Sequence, residues 1–106
     1  MWPFHFVSSE AKAELDALPA DMRATFERIV ELVRAVGLER VREPYIKHIE
    51  EKLWEMRLRG RDGIARSLYM TASGRRIVVL RTFVKKTQKT PRRDIELAQR
   101  RAKEVT

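Results

Sequence analysis

The chain has 106 residues, 43% of them apolar, no cysteine and a formal net charge of +8. This suits a single domain, 1–106, built on one small core; disulfides and thiolate metal sites are excluded, as in a reducing compartment. No apolar run reaches membrane-spanning length, and Met1 to Val7 lacks the basic start and apolar core of an export signal, so a soluble, cytoplasmic protein without membrane partners is expected.

Phe4 and Phe6, flanked by His5 and Val7, predict a short first strand, after which Ser8 or Ser9 can cap a helix carrying Ala11, Leu15 and Leu18 on one stripe. Pro19 interrupts that helix. Asp21 can cap a second, in which Met22, Phe26, Ile29, Val30, Val33 and Val36 recur at helical spacing until Gly37 offers a stop. Its outer face mixes Arg23, Glu27, Arg28, Glu31 and Arg34, as a solvated surface does.

Beyond a polar connection ending near Pro44 the period changes. Lys52 to Leu58 alternates, with Trp54, Met56 and Leu58 on one face and Leu53, Glu55 and Arg57 on the other. Arg59 to Gly63 is turn-rich, Ile64 to Thr71 predicts a second strand, Ala72-Ser73-Gly74 a turn, and Ile77 to Val84 a third strand whose start is apolar on both faces. Thr90 with Pro91 resembles an N-cap and first helical position, and Ile95, Ala98, Ala102 and Val105 line one face of a last helix. The expected fold is α+β: an N-terminal strand, a helical hairpin, an antiparallel three-strand meander and a C-terminal helix, with the helices on one side of the sheet.

Charge is unevenly distributed. Residues 1–51 sum to −3, residues 52–93 to +11, and residues 94–106 to zero. A strand-rich segment of +11 displays its charge from folded structure and points to a polyanion, although scattered arginines also serve solubility. Arg57, Arg66 and Arg81 fall on three different strands. Lys89, Arg92 and Arg93 flank the start of the last helix, where each cation opposes the macrodipole by about 0.3–1 kcal/mol unless an anion such as phosphate binds there. The basic region has no Asp/Glu cluster to hold magnesium, so an RNase built here would stabilise in-line attack by the 2′-hydroxyl with fixed cations and one base. His48 and Glu55 are candidates for that base, each with an ordinary structural alternative. Among the sheet aromatics Trp54 is expected in the core, and Tyr69, with its polar end, is the better candidate to touch a nucleotide.

Tyr45 to Ile49, Leu53 to Arg57 and Asp62 to Arg66 resemble the HigB-type, phage Gp49-like branch of the RelE/ParE toxin superfamily, and the strongest match runs from Gly74 to Leu80 and from Phe83 to Pro91. The resemblance implies the toxin of a type II toxin–antitoxin system that cuts mRNA in the ribosomal A site without metal or cofactor. Its partners would be an antitoxin, the ribosome and mRNA, with operator DNA reached only through the antitoxin. It implies that Arg66 contacts the scissile phosphate and that Arg57 and Lys85 or Lys86 belong to the catalytic set. Arg81, Gln88, Lys89, Arg92, Arg93 and Tyr69 would bind RNA. The lysines that the RelE branch places on the first meander strand are replaced here by Leu53 and Glu55, so His48, Glu55 and a lysine all stand as candidate bases. Two alternatives share the fold: a ParE-like DNA gyrase inhibitor, and a non-catalytic module that only binds antitoxin and operator.

Overall fold

The computed structural model describes residues 2–85 and 89–105. The elements run β1 (Phe4–Phe6), α1 (Ser9–Asp16), α2 (Ala20–Val36), β2 (Ile46–Glu50), β3 (Leu53–Gly60), β4 (Gly63–Ala72), β5 (Arg76–Lys85) and α3 (Arg92–Ala102), with short 3-10 turns at Leu38–Arg40 and Ser73–Arg75. One five-stranded sheet has the order β1-β5-β4-β3-β2. Strands β2 to β5 form an antiparallel meander, and β1 lies parallel to β5.

The α+β class and element order agree with the sequence. The strand β2 does not figure there: Lys47, His48 and Glu50 give it no apolar alternation, and pairing with β3 through Ile46–Met56, Lys47–Glu55 and His48–Trp54 creates it. Helices also cover both faces of the sheet. Phe26, Ile29, Val30 and Val33 of α2 pack on Met56, Leu58, Ala65, Tyr69, Ile77 and Val79, while Ile95 and Ala98 of α3 pack on Leu53, Leu68, Met70, Val78 and Leu80. Two cores arise because β4 and the start of β5 are apolar on both faces, and each face needs a cover.

Helix boundaries follow local chemistry. The Ser8 hydroxyl accepts from the Ala11 amide at 3.1 Å as the N-cap of α1. Gly37 ends α2 at φ 90°, a conformation that favours glycine. Asp21 does not cap α2. Pro19 holds the cap position, and the Asp21 carboxylate instead accepts from the Arg61 amide at 2.5 Å, fastening the β3–β4 turn to the helix. Gly60 belongs to that junction: a Cβ there would lie 2.7 Å from Met22 Cγ and 2.9 Å from the Asp21 carboxylate. Thr90 is not a cap either, since Pro91 precedes α3 and the Thr90 hydroxyl is used elsewhere.

One irregularity positions the site. Residues Ile77 and Val79 face the α2 core, but a register shift between Leu68 and Tyr69 pairs Tyr69 with Val79 and Leu68 with Arg81. Beyond this bulge at Leu80 the odd residues of β5 change faces, so Arg81, Phe83 and Lys85 stand opposite Leu68, Arg66 and Ile64.

Candidate functional site

Across the end of the sheet opens a cleft of about 840 Å³, lined by Thr25, Arg28, Ile29 and Leu32 of α2, by Pro44, Tyr45 and Lys47, and by Arg57, Arg59, Ile64 and Arg66 of the β3–β4 hairpin. Five of these residues are cationic and none is acidic. The arrangement follows from pleat and register. Arg57 and Arg59 are two apart on β3, and Arg57 stands opposite Arg66 on β4, so the three share one face. Arg28 reaches the cleft through Thr25: its Nη2 donates to the Thr25 hydroxyl at 3.0 Å, and that hydroxyl donates to the Arg59 carbonyl at 2.8 Å.

Beneath the cationic floor lies Glu55, which is fully enclosed. Its Oε2 accepts from Arg66 Nη1 and, at 3.3 Å, from Arg57 Nε; its Oε1 accepts from the Thr90 hydroxyl at 2.7 Å. This enclosure and these bonds make Glu55 the anchor of both arginines. Arg66 is 6% exposed, and among the described residues its buried Nε has no hydrogen-bond partner. Burial pulls its pKa below that of an ordinary guanidinium, and Arg57 acts in the same sense while Glu55 opposes.

Lys85, opposite Ile64 at the end of β5, is the amine that the bulge brings to this face. Burial holds its ammonium below the usual lysine range, reinforced by the charges of Arg66, Arg57 and Lys47 and opposed by Glu55. Lys86 and Gln88 lie outside the described residues.

Other expected site residues have different partners. Arg81 donates from Nε to Asp94 at 2.9 Å and pairs with Glu14 at 2.7 Å. Burial alone would lower its pKa, yet Asp94 and Glu14 outweigh that and raise it, so its charge is engaged within the fold. Arg101 completes the cluster through Glu14 at 2.9 and 3.0 Å. Arg92 does not stand unopposed at the start of α3: it forms a bidentate pair with Glu50 at 2.6 and 3.0 Å. Lys89 and Arg93 are exposed. Tyr69, expected to touch a nucleotide, is instead 1% exposed and belongs to the α2 core, where burial pushes its phenol pKa up. Trp54 is the reverse case, 39% exposed, with its ring 4.8 Å from that of His48. The two line a separate hollow, and His48 Nε2 lies 2.8 Å from the Glu51 carbonyl, so His48 is not among the cleft-lining residues.

Three lining cations, Arg28, Lys47 and Arg59, did not figure among the site residues expected from sequence. Arg59 could have been found from its two-residue spacing to Arg57. No local signal distinguishes Arg28 from its solvated neighbours on α2. The arrangement can hold a phosphate against several guanidinium groups. Among the described residues no three His, Cys, Asp or Glu side chains are grouped to hold a metal ion, and no helix is long and apolar enough to cross a membrane.

No curated protein matches the sequence. A family model described as phage derived protein Gp49-like (DUF891) matches residues 13–103. The chain belongs to that family, a RelE/HigB-like toxin family of toxin–antitoxin systems.

Proposed function

We propose that this Gp49-like toxin is a ribosome-dependent endoribonuclease that cuts mRNA in the ribosomal A site without a metal ion and so stops translation. The observation that carries this reading is the acid-free cleft, in which Arg57 and Arg66 stand side by side above a buried carboxylate that fixes them. A toxin acting only through a protein target has no need of a phosphate-sized concentration of fixed cations.

In the proposed reaction Arg66 and Arg57, which line the cleft side by side, hold the non-bridging oxygens of the scissile phosphate. The adjacent 2′-hydroxyl attacks phosphorus in line and passes its proton to Lys85 in its neutral form, made more accessible by the lowered pKa. The bond to the 5′-oxygen breaks, that oxygen takes up a proton from solvent water, whose hydroxide reclaims the proton on Lys85, and the products are a 2′,3′-cyclic phosphate and a 5′-hydroxyl. Arg28, Lys47 and Arg59 hold the flanking backbone. Glu55 and Thr90 position the arginines and never meet substrate.

The family brings an antitoxin partner, and charge complementarity suggests an acidic, amphipathic segment that covers the cleft. Cleavage of ribosome-bound mRNA in a purified translation system tests the reading, with message carrying a 2′-deoxy sugar at the cut position as control. Expected are cuts ending in cyclic phosphate that vanish with the deoxy message. In cells, arrest of DNA synthesis while protein synthesis continues would replace this function with gyrase inhibition.

A further inference from the structure

The cleft has one wall that phosphate chemistry does not use. Tyr45 is 46% exposed at its mouth, between Pro44 and Lys47, and Leu32, 37% exposed on α2, lines the same wall. An exposed aromatic among cations is not core packing. The backbone nevertheless fixes its place, because the Tyr45 carbonyl accepts from the Arg57 amide at 2.8 Å and its own amide donates to the Arg42 carbonyl at 3.0 Å. These bonds extend the β2–β3 register by one residue, setting Tyr45, Arg57 and Arg66 in a row across adjacent strands. At one strand spacing each, the Tyr45 backbone lies about 5 Å from that of Arg57 and about 10 Å from that of Arg66.

The other partly exposed aromatics are already occupied. Trp54 has His48 against it in the separate hollow, and Phe83 has the Arg81 guanidinium 5.8 Å from its ring centre. Tyr45 makes no ring contact among the described residues.

We propose that Tyr45, walled by Leu32 and Pro44, is a nucleobase platform that stacks the base adjoining the phosphate held by Arg57 and Arg66. The ligand class is single-stranded RNA, since a base must leave its own stack to lie on the ring, and stacking on a phenol tolerates any base. This subsite rests on the reading of the cleft as an RNA site, but not on whether the RNA is cut.

The test is equilibrium binding of the full chain to a short single-stranded RNA whose 2′-fluoro sugars cannot attack, alongside versions with one abasic nucleotide at each position in turn. Wild type should lose about 10-fold in affinity at one abasic position. Tyr45→Ala should lose about 10-fold on the intact strand and nothing further on that abasic strand, whereas Tyr45→Phe, which keeps the ring, should stay within about 2-fold of wild type. Undiminished binding by Tyr45→Ala, equal losses in Tyr45→Phe and Tyr45→Ala, full additivity at every abasic position, or no RNA binding by wild type would each overturn the platform. Binding that depends on Tyr45 without any cleavage on the ribosome would leave the platform standing and remove the nuclease reading. Cleavage without coupling between Tyr45 and a base would do the reverse.

Discussion

Glu55 on β3 and Arg66 on β4 form a buried ion pair beneath the cleft: the carboxylate is fully enclosed, the guanidinium is 6% exposed, and among the described residues Arg66 Nε has no hydrogen-bond partner. Desolvation works against both charges, so the pair contributes to stability less through its own attraction than through what breaking it would cost. The geometry holds the Arg66 guanidinium in place where it lines the cleft.

Arg66→Ala should therefore lose stability as well as activity, because it leaves Glu55 buried with only Arg57 and Thr90. About 3–5 kcal/mol of unfolding free energy is at stake, and cleavage should fall by about 10² or more. Adding Glu55→Gln to Arg66→Ala removes the stranded charge and should recover much of the stability but none of the cleavage. Urea unfolding and single-turnover cleavage on the same preparations check both. Recovery of cleavage with stability would remove Arg66 from the catalytic set.

Lys85 supplies a pH signature. Its folded pKa lies below the ordinary value of 10.5, so between the two the unfolded chain holds a proton that the folded chain has lost, and stability rises with pH across that window. If the neutral amine takes the 2′-hydroxyl proton, the cleavage rate also rises with pH until the folded pKa is passed. Lys85→Arg should keep the positive charge and abolish the rising limb. A pH–rate profile unchanged in that variant would shift the base to another group.

Glu14 links α1 to the far side of the sheet through Arg81 and Arg101. Burial raises its pKa, but the hydrogen bonds from Arg101 and the Thr82 amide, together with the Arg81 charge, outweigh that and hold it below 4.5. Its contribution is thus fully present above pH 4.5 and lost as pH falls through the depressed folded value. Glu14→Gln should cost roughly 1.5–3 kcal/mol at pH 7. The difference from wild type should shrink in acid, read from denaturant midpoints at pH 7 and pH 3.

Gly60→Ala should destabilise by roughly 1–3 kcal/mol, because the new methyl meets Met22 and Asp21 within 3.0 Å. Cleavage should fall as well, since the same junction sets the β3–β4 turn next to Arg59. Thermal melting and activity measured together would show whether the two losses move in step.

The sequence by itself determined whatever depends on neighbours within one turn or one pleat. Ser8 and Gly37 mark helix ends through their own backbone chemistry, the alternation from Leu53 to Leu58 makes a strand with Glu55 and Arg57 on one face, and the uneven charge locates the cationic region. It also placed Arg57 and Arg66 on different strands. Only tertiary structure could decide which cations have acidic partners. Arg81 is neutralised by Glu14 and Asp94, and Arg92 by Glu50, acids brought near by chain crossings that no local period encodes. The bulge at Leu80 was equally illegible: one extra residue reverses the facing of everything after it, setting Lys85 opposite Ile64 on the face that carries Arg66, and Ile77 to Leu80 reads as a continuous apolar run with or without it. Tyr69 and Trp54 exchanged their expected places for the same reason. Tyr69 lies on a central strand, with β3 and β5 on either side and α2 covering its face, whereas Trp54 pairs with the short edge strand β2 beyond the reach of the α2 core.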